Sequence, residues 1–235
     1  RAEYPSLDRL ESMIPRLTGC GVLICDPGNP LGQKYDDARL LALLRKLDAA
    51  GVTVFFDSPY RRVFRDATDT FYREIRPLRI VESFSKSMGL SGQRIGFIHT
   101  TDPGLYAELE KRTMYTNNGV NAFAQTLVLR LLTTPEGRRA VADFKAATVR
   151  DIGLNIAYLK ENGLLATEFY RESMPVGIFA IVDRSEKELL EHRIGSVSLD
   201  FFTRDAALAG YASRFSRICV SVPHTKFREF FDPLV

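Results

Sequence analysis

The run Val52-Thr53-Val54-Phe55-Phe56 constrains this chain more than any other feature, because its apolar character barely alternates and both of its ends are marked. Before it, Asp36 opens an amphipathic stretch with Leu40, Leu41, Leu43, Leu44 and Leu47 that Gly51 closes; after it comes the turn chemistry of Asp57-Ser58-Pro59. A continuous strand of this kind, fed by a helix, predicts burial on both faces, as in parallel sheets. The alternation recurs. Ser6 caps a helical pattern to about Leu17, and Cys20 to Cys25 follows as a strand ended by Asp26-Pro27-Gly28-Asn29-Pro30. Arg79 to Phe84 and Arg94 to Thr100 repeat the strand signal, while Tyr106 to Tyr115 and Ala122 to Leu132 read as helices. The pattern predicts an α/β fold, a mainly parallel sheet flanked by helices on both faces.

Pro135 starts a long helical pattern that runs to about Asn162 and stops at Gly163. Beyond it, strand-like stretches at Pro175 to Asp183 and Ser216 to Val222 surround one amphipathic helix near Glu186 to His192. This texture predicts a large domain over residues 1–147 and a smaller α+β domain over 148–235.

With 235 residues, 45% of them hydrophobic and 26% charged, the chain has material for a sizeable core. The net charge of +3, from 32 basic and 29 acidic side chains, argues against a nucleic-acid partner. No apolar run approaches the roughly 18 residues of a membrane span. Asp8, Arg9, Glu11 and Arg16 stand where a signal peptide would be apolar, so a cytoplasmic protein is expected. Cys20, Cys25 and Cys219 lack paired or CxxC spacing and sit in apolar runs, which predicts core packing. His99, His192 and His224 are scattered, and no metal is expected.

In a parallel sheet, ligands bind beyond the carboxyl ends of the strands. Three such ends carry unusual residues: Asn29-Pro30-Leu31-Gly32, Asp57-Ser58-Pro59-Tyr60, and Ser83-Phe84-Ser85-Lys86. The last continues through Gly89 to Gly92-Gln93-Arg94-Ile95-Gly96, where Gly89 and Gly92 allow close backbone approach. An amide, a carboxylate, a phenol, an amine, hydroxyls and a guanidinium are thereby offered to one crevice.

These segments resemble, in order and spacing, the NPTG, D-x-x-Y, S-x-x-K and G-x-R-x-G motifs of the class I/II aminotransferases, fold type I enzymes that use pyridoxal 5'-phosphate (PLP). Ser216-Arg217-Ile218-Cys219-Val220-Ser221 resembles the family's R-[IL]-x-x-S strand. The resemblance implies a PLP-dependent transferase that moves an amino group from an L-amino acid to a 2-keto acid through a Lys86 Schiff base, acting as a homodimer. It gives Asp57 the task of keeping the cofactor ring nitrogen protonated, and Asn29 and Tyr60 that of holding its phenolic oxygen. Lys86, Asp57 and Tyr60 would be catalytic. Ser83, Ser85 and Arg94 would take the cofactor phosphate, and Arg217 with Asn29 the substrate carboxylate. Arg112 loosely resembles a position where dicarboxylate-specific relatives place a second carboxylate-binding arginine. Arg61, Arg62 and Arg65 read as a solvated helix face.

On the resemblance, the chain enters the family pattern just before the NPTG segment, so the large domain is incomplete. The family's early Gly-rich turn, its ring-stacking aromatic and its contacts from a neighbouring subunit would be missing. The same site would also serve decarboxylation, elimination, cyclisation or oxidation. A further alternative is an aminotransferase-like sensing domain of a transcription regulator.

Overall fold

The computed structural model describes residues 6–64, 71, 73–75, 78–171 and 173–235. They fall into two compact units. The first holds Tyr35–Ala146 and the described residues up to Asp26; the second holds Pro27–Lys34 and Ala147–Val235. The short segment after the first strand therefore groups with the C-terminal residues, which a division at 147/148 does not foresee.

In the first unit, α1 (Leu7–Leu17) starts where Ser6 Oγ accepts the Arg9 N–H. It leads to β1 (Gly21–Cys25), α2 (Asp37–Ala49), β2 (Thr53–Asp57), α3 (Arg61–Phe64) and β3 (Arg79–Ser83). Then come α4 (Phe84–Ser87), β4 (Gly96–His99), α5 (Pro103–Asn117), α6 (Ala122–Thr133) and the start of α7 (Pro135–Glu161). The sheet runs β1-β2-β3-β4; the first three strands are parallel and β4 is antiparallel to β3. The expected α/β class with a mainly parallel sheet is borne out.

The leucine stripe of α2 explains the packing. Leu40, Leu43, Leu44 and Leu47 recur every three or four residues, share one helix face and are all at most 2% exposed. They meet Ile24, Phe56 and Ile80, which stand side by side across the strand register. Each such buried side chain contributes about 1.5–3 kcal/mol. Leu7 of α1 joins the same cluster, so burial is complete on that face only. On the opposite face Phe55 is half-buried, which corrects the expectation that this strand is buried on both faces, and its neighbour Leu23 is 69% exposed.

The second unit contains the end of α7, then β5 (Phe179–Val182), α8 (Glu186–Glu191), β6 (Val197–Ser198), α9 (Ala206–Ala212), β7 (Ser216–Cys219) and α10 (His224–Phe231). Its antiparallel sheet runs β5-β7-β6. Gly163, at φ +66°, follows α7 in the left-handed conformation that its sequence position predicts. Strand β5 is shorter than expected: the N–H groups of Val176 and Gly177 donate to the Gly32 carbonyl instead of a strand neighbour. Helices α9 and α10 were not legible as periodic stretches.

The cysteines depart from their expected core positions: Cys20 and Cys219 are exposed and Cys25 is half-buried. Along β7, Ser216 and Ile218 point inward, so period two turns Cys219 outward. Among the described residues no group of three or more His, Cys, Asp or Glu is arranged to hold a metal ion, and no helix is long and apolar enough to cross a membrane.

Candidate active site

Asp57 is the last residue of β2 and pairs in register with Cys25 on one side and Val81 on the other. Ser83 lies two residues beyond Val81, so it shares the face of the sheet that Asp57 occupies. Desolvation raises the Asp57 carboxyl above its ordinary value of 3.8, and a hydrogen bond from the Cys25 thiol pulls the other way. The turn that follows is tied down: Ser58 N–H donates to Val81 O at 3.0 Å, and Ser58 Oγ donates to Glu82 Oε1 at 2.6 Å. Arg61 N–H in turn donates to Ser58 O at 3.2 Å, which fixes half-buried Tyr60 at the entrance to α3.

Ser83 caps α4 by accepting the Ser85 N–H at 3.1 Å, and Lys86 is the third residue of that helix, half-buried. Strand β4 returns antiparallel, pairing Gly96 with Ser83, while Phe84 N–H donates to Ile95 O at 3.2 Å. Arg94 is thus brought beside α4. A Cβ on Gly96 would collide with the Glu82 carbonyl, so the last glycine of G-x-R-x-G permits this close return. Of the two glycines expected to allow close approach, Gly89 does so, its hypothetical Cβ falling 3.0 Å from the Phe144 ring, whereas Gly92 faces open space. Arg94 itself adopts φ 51°, a left-handed conformation uncommon for a side chain of its size, and its Nη1 donates to Ser91 O at 3.1 Å.

Asn29 and Arg217 lie together in the second unit. Arg217 Nη1 donates to Asn29 Oδ1 at 2.8 Å, and its guanidinium carbon stands 4.3 Å from the Phe179 ring centroid and 5.0 Å from that of Phe202. Two residues that sequence reasoning missed hold the Asn29 segment. Gln33 Nε2 donates to Phe169 O, Ser173 O and Ser173 Oγ at 2.9–3.1 Å. Tyr170 donates to Leu31 O at 2.9 Å and accepts the Ile181 N–H at 2.8 Å; its burial pushes the phenol upward. Only their partners, scattered along the chain, reveal these roles.

Three expectations fail or fall elsewhere. Arg112 pairs with Glu108 one turn earlier on exposed α5, at 2.7 Å, and is a helix-surface residue. Arg61 is 2% exposed, contrary to a solvated face, because it balances the buried carboxylate of Asp26. Arg62 lies over the Phe97 ring and 3.5 Å from Glu82; Arg65 lies outside the described residues. An open groove lined by Val81, Phe97, Ile98, Tyr106, Leu109 and Met114 contains none of the candidate residues.

Comparison with known proteins gives the family. A family model described as "Aminotransferase class I and II" matches residues 6–232. The chain belongs to that family. It is 33% identical over 134 residues to an aromatic amino acid aminotransferase of Streptomyces coelicolor, a match covering 55% of this chain and 36% of the relative. It is 30% identical over 98 residues to a threonine-phosphate decarboxylase of Pseudomonas aeruginosa, covering 42% of this chain and 30% of that one. The solved structure of an aromatic aminotransferase from Pyrococcus horikoshii superposes with a TM-score of 0.76 at 20% identity, over 97% of this chain and 62% of that one. The chain therefore matches about a third of the length of these two curated relatives and 62% of the solved structure.

The first unit's residues fit the cofactor this family uses. A half-buried carboxylate ends β2, a phenol follows it, and hydroxyls, an amine and a guanidinium cluster at the end of β3. These are complements for a pyridine nitrogen, a phenolic oxygen, an aldehyde and a phosphate.

Proposed function

We propose that this protein is a PLP-dependent aminotransferase that moves an amino group from an L-amino acid to a 2-keto acid. The reading is supported most by one observation: the strand register that sets Asp57 beside Val81 and Ser83 beside Gly96, so that the backbone of Asp57, Lys86 and Arg94 lies at the same end of one sheet. When bound, pyridoxal phosphate supplies an aldehyde that condenses with amines and a ring that accepts the electron pair released at the substrate Cα.

The chain's own groups do the rest. Asp57 would accept a hydrogen bond from the ring nitrogen, whose positive charge would offset the desolvation that raises this carboxyl. Tyr60 donates to the phenolic oxygen. Ser83, Ser85 and Arg94 hold the phosphate, the arginine through its planar fork. Lys86 Nζ would hold the cofactor aldehyde and would take the proton from the substrate Cα and later return one, acting as general base and then acid. Arg217, oriented by Asn29 and the two phenyl rings, binds the substrate carboxylate and so decides which bond to Cα is broken.

The test is a screen of amino donors against a keto acid, with both products quantified. Stoichiometric appearance of the new amino acid and the donor's keto acid, with ping-pong kinetics, is expected. Release of carbon dioxide in place of that exchange would overturn transamination and favour decarboxylation.

A further inference from the structure

Arg61 is the largest fully buried side chain of the first unit and carries a charge. Its two terminal nitrogens pair with different carboxylates, Nη1 with Asp26, which is itself 0% exposed, and Nη2 with Asp37 at the start of α2. The Phe71 and Phe56 rings lie 4.8 and 5.6 Å from the guanidinium carbon. Asp26 also accepts the Tyr35 N–H through Oδ1 at 2.8 Å, and its own N–H donates to the Asp57 carbonyl at 3.2 Å. One arginine thus links the end of β1, the start of α2 and the turn that carries Asp57 and Tyr60.

A charged triad is an expensive way to fill a core. Apolar residues of the same volume generally do so with equal or greater stability, whereas losing one partner strands a buried charge. What the arginine fork adds is direction, because it fixes two carboxylates in one plane, which lysine cannot. The atoms so fixed are one hydrogen bond from the Asp57 backbone and one peptide bond from Tyr60.

We propose that Arg61 is a positioning residue that sets where Asp57 and Tyr60 stand. The proposal rests on the reading of these two as cofactor ligands, and it concerns binding geometry as well as turnover.

The test uses the full chain, with PLP as the probe. Arg61→Met/Asp26→Asn removes both charges together, Arg61→Lys keeps the charge without the fork, and Asp57→Asn is the reference. For each, the urea midpoint, the PLP dissociation constant by equilibrium dialysis, and the pH midpoint of the bound cofactor's visible band are measured. The double variant is expected to unfold at a similar urea concentration, yet to bind PLP about tenfold more weakly with a displaced pH midpoint; Arg61→Lys should show a smaller change in the same direction. Affinity and pH midpoint both unchanged in the double variant would overturn the proposal. If the double variant does not fold, unchanged values in Arg61→Lys overturn it. If Asp57→Asn itself leaves both values unchanged, the cofactor reading fails, a result recognisable apart from any failure of Arg61.

Discussion

Replacing Gly32 by alanine should cost this protein more than its backbone conformation alone explains. Gly32 has φ +69°, and an added Cβ would fall inside the contact distance of the Phe179 carbonyl oxygen and 3.4 Å from Pro175. The left-handed conformation costs an L-residue about 1–2 kcal/mol. Backbone cannot swing aside as a side chain does, so relief requires Gly32 and the entrance to β5 to separate. That weakens the bonds from Val176 and Gly177 N–H to Gly32 O, at 2.9 and 2.8 Å, each contributing about 1 kcal/mol. The loss should therefore reach about 3–4 kcal/mol. Gly163, in the same unit, has φ +66° and nothing within 4 Å of a hypothetical Cβ, so Gly163→Ala should cost only the conformational part. Urea unfolding of both variants should separate them by about 2 kcal/mol, or about 1 M in midpoint. Equal losses would refute the argument that close approach, and not φ, requires this glycine.

Further outcomes follow from single side chains. Because burial raises the Asp57 carboxyl, its ionisation destabilises the folded state as pH rises through the folded value; Asp57→Asn should raise the neutral-pH urea midpoint of the cofactor-free protein while cutting turnover by about a thousandfold or more. An unchanged or lowered midpoint would contradict the desolvation argument. Arg217→Lys keeps the charge but loses the fork, and should raise KM for the amino acid by about 10- to 100-fold with kcat less affected; unchanged KM would remove Arg217 from carboxylate binding. Asp102 caps α5, and the Leu105 N–H foremost, with Gly104 N–H and Arg79, holds its carboxyl below 3.8. That stabilisation is present above pH 3.8 and lost as pH falls through the depressed value, so Asp102→Ala should flatten the acid limb of the unfolding curve there. An acid limb as steep as before would count against the cap.

What was legible in the sequence was whatever depends on neighbours in the chain. Caps such as Ser6 and Asp36, the leucine period of α2, and the stop at Gly163 are local, and each appears where its chemistry predicts. The motif residues were legible because they recur at strand ends in a fixed order. Long-range satisfaction was not. Gln33 finds its acceptors about 140 residues away, and nothing near it announces a buried amide. Arg61 looked solvated beside Arg62, because only the tertiary fold reveals that Asp26, immediately after β1, is buried and needs a cation. The two faces of β2 differ for the same reason: a strand's own residues do not say whether helices cover one side or both.

The central claim is that Lys86 bears the cofactor, and it is tested most directly by incubating the protein with PLP, reducing with borohydride and mapping the modified peptide by mass spectrometry. The pyridoxyl group should be found on Lys86 and should be absent from Lys86→Ala treated in parallel. Modification confined to another lysine, or undiminished in the Lys86→Ala protein, would contradict the account.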